Sequence, residues 1–295
     1  MYYFDYVEPV FRPPSEARSL ILQITVGCSQ NSCRFCAMYK SKQFHCRDVT
    51  AVRADLQQIP AAHRSHIQRV FLADGDALVY PQAGLLQILD LLAATLPNLT
   101  RVSAYASPNS LTTKTSDELR QLRDKNLRIL YFGLESGDNQ TLSLCRKGFT
   151  AARMLELCQK AKGAGLKLSV TAILGLAGQG RTTEHAIATA EWVNRLSPEY
   201  FSLLTMFRRG NDDYFRAIKP LSNGQVIEEA LQIVRRLDPD KTILRSNHVS
   251  NVLQLAGSYP KDRERIIAQA EAGLAAARRD PAWFNLIPDY EEQLI

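Results

Sequence analysis

The chain has 295 residues, 45% hydrophobic and 22% charged, a balance that suits a globular protein with a sizeable core and excludes a disordered chain, a collagenous one and a heptad fibre. Its net charge of +6 and pI near 9.0 favour acidic partners such as RNA, a phosphorylated metabolite or an acidic redox protein, although the positive charge is spread along the chain and also reads as a solvated basic surface. No apolar stretch reaches the roughly 18 residues of a membrane helix, since even Leu85 to Leu96 carries Gln87 and Asp90, and Met1 to Pro14 lacks the charged-then-apolar layout of a secretory signal. The expected location is the cytoplasm.

In chain order, apolar segments of strand length alternate with segments whose apolar residues recur at helical spacing. Six strands are expected, at Leu20 to Val26, Val70 to Ala73, Arg101 to Ala106, Arg128 to Gly133, Lys167 to Leu174 and Tyr200 to Thr205. Helices are expected between them, near Ala51 to His63, Gln82 to Leu96, Thr115 to Lys125, Ala151 to Ala164 and Thr182 to Arg195. After Met206 the rhythm loosens, with a helix near Gln225 to Leu237, a short strand near Thr242 to Arg245 and a last helix near Lys261 to Arg279. Strands joined by helical crossovers pair in parallel and curl towards a barrel or a doubly wound sheet, and periodicity leaves both open. No repeat, glycine-serine linker or low-complexity tract interrupts the series. The chain therefore reads as one domain, a core over residues 1–219 with a C-terminal extension over 220–295.

Six cysteines are too few for a disulfide scaffold in a chain of this length. Three of them crowd into Gly27-Cys28-Ser29-Gln30-Asn31-Ser32-Cys33-Arg34-Phe35-Cys36, directly after the first strand. Three thiolates on one loop suit an iron-sulfur cluster with one iron left open for substrate, because four cysteines would close every position. A structural zinc site is the alternative; it needs a fourth ligand, which Cys46 or His45 could supply, but no second CxxC knuckle is present.

On these residues the sequence resembles the radical SAM superfamily, whose signature is a CxxxCxxC loop after the first strand of a six-stranded partial (β/α)6 TIM-like barrel. The present loop carries one residue more between Cys28 and Cys33. Ala73-Asp74-Gly75-Asp76 resembles the family's GGE element, which contacts the methionine amino group. Gly133-Leu134-Glu135-Ser136-Gly137 is similar to the GxESG element of the group containing methylthiotransferases, the catalytic subunit of Elongator and anaerobic coproporphyrinogen oxidase. Ile173-Leu174-Gly175-Leu176-Ala177-Gly178-Gln179 resembles the GLPG element that lies against adenine. Arg245-Ser246-Asn247-His248, Leu255-Ala256-Gly257 and Pro260-Lys261-Asp262 resemble a bacterial and archaeal branch of the superfamily that shares the longer cysteine spacing.

The resemblance implies a six-stranded partial TIM-like α/β barrel with a C-terminal extension. It implies a 4Fe-4S cluster on Cys28, Cys33 and Cys36, and S-adenosylmethionine held by Phe35, Asp74, Gly75, Asp76, Glu135, Ser136, Lys147 and Gly175. A flavodoxin- or ferredoxin-type protein would then supply electrons. Three of these residues also have a plain structural role to fill: Phe35 in core packing, Lys147 before Gly148 as a helix C-terminus, and Gly175, with Gly178, in a strand-to-helix turn. Cys46, Cys145 and Cys158 lack the spacing of a second cluster and read as structural thiols, and His185, in a polar helix start, reads as a surface residue. Arg245, Asn247 and His248 gather polar groups where the last short strand ends, which suits either a substrate pocket or a polar loop closing the barrel. The expected activity is hydrogen abstraction from a small-molecule substrate by a 5'-deoxyadenosyl radical. RNA modification, and a non-catalytic protein that holds a cluster or a porphyrin-like ligand, are the alternatives.

Overall fold

The computed structural model describes residues 4–206, 208 and 210–288. In chain order these form β1 (Leu20–Gln23), β2 (Thr25–Val26), β3 (His45–Cys46), α1 (Val49–Gln57), α2 (Ala61–Arg64), β4 (Arg69–Ala73), α3 (Gln82–Thr95), β5 (Arg101–Ala106), α4 (Pro108–Thr113), α5 (Ser116–Asp124), β6 (Leu127–Glu135) and α6 (Asn139–Leu144). They continue with α7 (Ala151–Gly163), β7 (Lys167–Leu174), α8 (Thr182–Leu196), β8 (Tyr200–Thr205), α9 (Asp212–Ala217), α10 (Asn223–Arg236), β9 (Ile243–Ser246), β10 (Leu255–Ser258), α11 (Arg263–Ala277) and α12 (Pro281–Asn285). Eight strands make one mostly parallel sheet in the order β1-β4-β5-β6-β7-β8-β9-β10, and β2 pairs with β3 in a separate ribbon. The sheet thus exceeds the six strands expected, because β9 and the antiparallel β10 of the C-terminal segment join it. β10 escapes a reading by pattern because Ala256 and Gly257 give it no apolar alternation.

Two expected elements are divided. Leu20 to Val26 breaks at Ile24, whose N–H bonds Ala73 O at 3.0 Å while its carbonyl accepts from Arg47 N at 2.9 Å; the chain there exchanges β4 for β3 as its partner. The helix expected over Ala51 to His63 breaks at Pro60, which cannot continue the ladder and instead opens α2.

Contacts divide the chain into two compact units. The first is Met1–Asn31, Met38–Phe132 and Leu157–Leu168; the second is Ser32–Ala37, Gly133–Glu156 and Ser169–Ile295. In the first, β1, β4 and β5 pair in parallel and are buried nearly end to end, as strands covered on both faces must be. Phe71, Tyr105 and Tyr131 stack edge-on between the strands. Glu16, fully buried beside them, is held by Arg101 and Tyr131. In the second, β7, β8 and β9 pair in parallel. Helix α10 buries Val226, Ile227, Ala230, Ile233 and Val234, a stripe at helical spacing that packs on α8 and α11. Parallel pairing brings the carboxyl ends of neighbouring strands to one edge, where loops carry function in barrel and open α/β folds.

Candidate cofactor site

In the first unit the carboxyl end of β4 meets the start of the cysteine loop. Asp74, fully buried, accepts at one oxygen from Gln23 Nε2 at 3.0 Å, Gly27 N at 2.9 Å and Lys42 Nζ at 2.7 Å. Its other oxygen is buried without a hydrogen-bond partner. Gly75 donates its N–H to Gly27 O at 3.0 Å, and its carbonyl faces Cys28 Sγ at 3.8 Å. A Cβ on Gly75 would stand 2.7 Å from Tyr39 Cε2 and 2.8 Å from Cys28 Cβ, so the residue has to be glycine for the loop to lie this close. Asp76 is also fully buried and accepts from Ser29 Oγ, from Ser107 N at 3.0 Å and from Ser107 Oγ at 2.6 Å. Burial pushes its carboxyl up, against the serine hydrogen bonds that favour the charged form. Asp74 and Asp76 therefore fix the loop that starts at Gly27 onto the strand end, with Gln23, Ser29, Lys42 and Ser107 as partners that no sequence motif marked.

In the second unit β6 ends on Glu135, whose φ of 65° lies in the left-handed region. That conformation folds the side chain back over Gly133, where a Cβ would stand 2.0 Å from Glu135 Oε1 and 3.2 Å from Lys147 Nζ. Lys147 donates to Glu135 Oε1 at 2.9 Å, both side chains being nearly buried. Burial works against the ammonium, but Glu135 and then Cys33 outweigh it and hold Lys147 above its ordinary range. Lys147 is thus the partner of Glu135 and more than a helix terminus.

Ser136 Oγ lies 2.8 Å from His185 Nδ1 and accepts from Asp138 N at 3.0 Å. Gly137 donates to Thr189 Oγ1 at 2.9 Å and leaves no room for a Cβ against Ala188 O, 2.2 Å away. His185, expected at the surface, is fully buried. Its place on α8 explains this, because Thr189, Val193 and Leu196 repeat at helical spacing from it and are buried too. Gly175, with φ 81°, donates its N–H to Glu229 Oε2 at 2.6 Å.

Cys33 is buried, and Cys36 and Phe35 are half-buried. Phe35 packs against the core group of Cys145, Ile173, Leu176, Met206 and Tyr214, Arg34 N bonds Cys145 O at 2.9 Å, and the Arg34 guanidinium lies 5.7 Å from the Tyr214 ring centroid. Cys145 and Cys158 are fully buried, as expected of structural thiols, and burial pushes the Cys145 thiol up to about 12. Cys46 is half-buried in β3. Among the described residues, no three His, Cys, Asp or Glu side chains stand within reach of one metal ion; Cys28 belongs to the first unit, Cys33 and Cys36 to the second.

At the end of β9, Asn251 accepts from Thr205 Oγ1 at 3.0 Å and donates to Leu203 O at 2.8 Å and Ser246 Oγ at 3.0 Å. This pins the 247–251 turn to the carboxyl end of β8. His248 Nδ1 lies 2.8 Å from Ser250 Oγ, and burial lowers its imidazole below the ordinary value. Asn247 is exposed on this turn. Arg245 is exposed too, on the strand face opposite Leu244 and Ser246, so it is not gathered with His248.

The radical SAM superfamily model matches residues 22–193, more than half of the chain. The chain belongs to the radical SAM superfamily. A 4Fe-4S cluster and S-adenosylmethionine are the cofactors of the chemistry for which that superfamily is named. No curated protein matches the sequence. Among solved structures, methylornithine synthase PylB is similar with a TM-score of 0.57 at 13% identity, over 94% of this chain and 76% of that one. Coproporphyrinogen III oxidase HemN from Escherichia coli gives 0.53 at 18% identity, over 74% and 50%. The cobalamin-bound methyltransferase TsrM from Kitasatospora setae gives 0.52 at 18% identity, over 63% and 36%. At these identities the likeness is one of fold. The matched region spans only about a third to a half of TsrM and HemN. Among the described residues no helix is long and apolar enough to cross a membrane.

Proposed function

We propose that Cys28, Cys33 and Cys36 hold a 4Fe-4S cluster with one open iron, and that the enzyme abstracts hydrogen from a small-molecule substrate. The donor set fits the group: three thiols stand on one loop, and residues 27–44 run through turns without helix or strand, so no backbone ladder prevents the three thiols from closing on a cluster. The observation that carries the reading is the contact of Gly75 with Cys28, where the first cluster thiol rests on the strand end that resembles the methionine-binding element. When bound, cluster and S-adenosylmethionine together supply the 5'-deoxyadenosyl radical.

The chain's own residues bind and orient. Gly75 offers its backbone to the methionine ammonium, and Asp74 and Asp76, the latter adding its negative charge from beneath, keep the loop in place. The Glu135–Lys147 pair presents one carboxylate and one ammonium to the polar groups of the cofactor, with Ser136 next in the chain, while Phe35, packed on the Cys145 group, and the bare backbone of the Gly175 turn face adenine. Asn247 and His248, on the turn that follows β9, read the substrate at the strand carboxyl ends. The core over residues 1–219 is read as the partial six-stranded barrel and 220–295 as the extension closing it. A flavodoxin- or ferredoxin-type donor, acidic against this chain's +6, delivers the electron. Six unbridged cysteines agree with a cytoplasmic setting.

The test is anaerobic reconstitution with iron and sulfide, then dithionite and S-adenosylmethionine. 5'-Deoxyadenosine is expected from the wild type and none from Cys33→Ala; no product from a fully iron-loaded wild type would remove the reading.

A further inference from the structure

The C-terminal segment supplies a buried acid to the cofactor site as read above. Glu229, on α10 and fully buried, lies outside the 22–193 segment that matches the family model. Both of its oxygens are engaged at one loop: Oε2 accepts the Gly175 N–H at 2.6 Å and Oε1 accepts Thr182 Oγ1 at 2.7 Å. The two donors bracket the turn that joins β7 to α8, so Glu229 closes that turn from outside, as a staple across its mouth.

One turn further along α8, His185 continues the connection. Its Nε2 has no hydrogen-bond partner and stands 4.0 Å from Glu229 Oε2. Its Nδ1 meets Ser136 Oγ. Because that oxygen already accepts from Asp138 N, its own proton can pass to Nδ1, which leaves the ring proton on Nε2, facing Glu229. Ser136 follows Glu135, and its neighbour Gly137 is tied to Thr189 of α8. A set of buried polar groups thus runs from the Gly175 amide through Glu229 and, across a gap of 4.0 Å, His185 to Ser136, and joins the turn after β7 to the turn after β6. Buried polar groups are costly when unpaired and rigidify their surroundings when hydrogen-bonded, as both oxygens of Glu229 are here.

We propose that Glu229 and His185 are positioning residues for S-adenosylmethionine: they hold the Gly175 turn and the Glu135-Ser136 turn at a fixed spacing, which makes α10 a working part of cofactor binding. Neither residue needs to touch the cofactor. The inference rests on the assignment of these two turns to the cofactor.

The test measures S-adenosylmethionine affinity by equilibrium dialysis on reconstituted, unreduced protein, beside iron content and amide exchange of the 174–182 segment. Glu229→Ala should weaken binding by roughly tenfold or more, speed exchange of that segment, and leave iron at the wild-type level. Glu229→Gln should restore binding to within about threefold, since its amide oxygen can accept from Gly175 N while its NH2 donates to Thr182 Oγ1. Ile233→Ala, a cavity in the same helix away from the turn, lowers stability and should leave affinity within about twofold.

Equal affinity in Glu229→Ala and the wild type, or an equal loss in Glu229→Ala and Ile233→Ala, overturns the proposal. If Glu229→Ala does not fold, His185→Ala decides from the other end: roughly fivefold weaker binding at unchanged iron supports the relay, and binding within about twofold refutes it. Failure of the iron-loaded wild type itself to bind S-adenosylmethionine would refute the cofactor assignment, a result distinct from failure of the relay.

Discussion

Gly75→Ala introduces one methyl group at the place where the cysteine loop touches β4. The new carbon would stand 2.7 and 2.9 Å from two ring atoms of Tyr39 and 2.8 Å from Cys28 Cβ, against an ordinary carbon contact of about 3.5 to 4.0 Å, so each neighbour has to retreat by about 0.6 to 1.3 Å. Neither retreats freely. Tyr39 is 4% exposed and packs edge-on to Phe11 at 5.6 Å, and the Cys28 backbone is anchored through Gly27, whose N–H is bound by Asp74 and whose carbonyl is bound by Gly75 itself. Overpacking of this kind costs about 1 to 3 kcal/mol, and at about 2 to 4 °C per kcal/mol the melting temperature should fall by roughly 2 to 12 °C. Because one of the displaced atoms carries the Cys28 thiol, which we propose as the first cluster ligand, iron retained after reconstitution should fall by roughly half or more. Gly180→Ala is the control, since a Cβ there meets nothing within 4 Å. Calorimetry with iron analysis reads both effects. Wild-type iron and melting temperature in Gly75→Ala would show that the loop does not rest on the strand end, and the argument from that contact would fall.

Lys147→Met leaves Glu135 buried without its cation, which should cost about 3 to 5 kcal/mol in denaturant unfolding; Glu135→Gln combined with Lys147→Met should recover most of it, and an additive double variant would refute the pairing. For Asp138, burial raises the carboxyl, but hydrogen bonds from Arg181 and Thr141 outweigh it and hold the group well below the usual carboxylate range. A folded pKa below an unfolded value near about 3.9 contributes stability that is present above about pH 4 and lost as pH falls towards the folded value. Asp138→Asn should therefore be less stable than the wild type at pH near 7 and show a shallower acid loss between about pH 4 and 2; parallel urea midpoints across that range would count against the assignment. Single alanine substitutions at Cys46, Cys145 and Cys158 should leave the cluster iron intact while Cys33→Ala removes it. Loss of iron in Cys46→Ala would favour a four-ligand site.

Several core strands were legible in the sequence because buried parallel strands are short continuous apolar runs: β5, β7 and β8 fall at Arg101–Ala106, Lys167–Leu174 and Tyr200–Thr205 as expected. The short α4, α6 and α9 were not, since each has six residues, too few to show a period. Ser107 and Asp138 cap two of them with turn chemistry that only the fold reveals. Motif order put Asp74, Gly75, Asp76 and Glu135 at strand ends, which is where β4 and β6 leave them. Their partners were not: Lys42, Ser29 and Ser107 reach Asp74 and Asp76 from distant points of the chain. Glu229 is one of four charged residues in its helix, with Glu228, Arg235 and Arg236, and no motif sets it apart. His185 carried a usable signal, its spacing to Thr189, Val193 and Leu196, which the polar residues around it concealed.

The central claim is that three cysteines hold a cluster whose remaining iron is open to S-adenosylmethionine. Electron paramagnetic resonance of the dithionite-reduced, reconstituted protein tests it most directly, recorded before and after addition of S-adenosylmethionine. The account predicts a single reduced 4Fe-4S signal that changes shape on addition and is absent from Cys28→Ala, Cys33→Ala and Cys36→Ala. A strong cluster signal that S-adenosylmethionine leaves unaltered, or one that survives loss of any of the three cysteines, would contradict it.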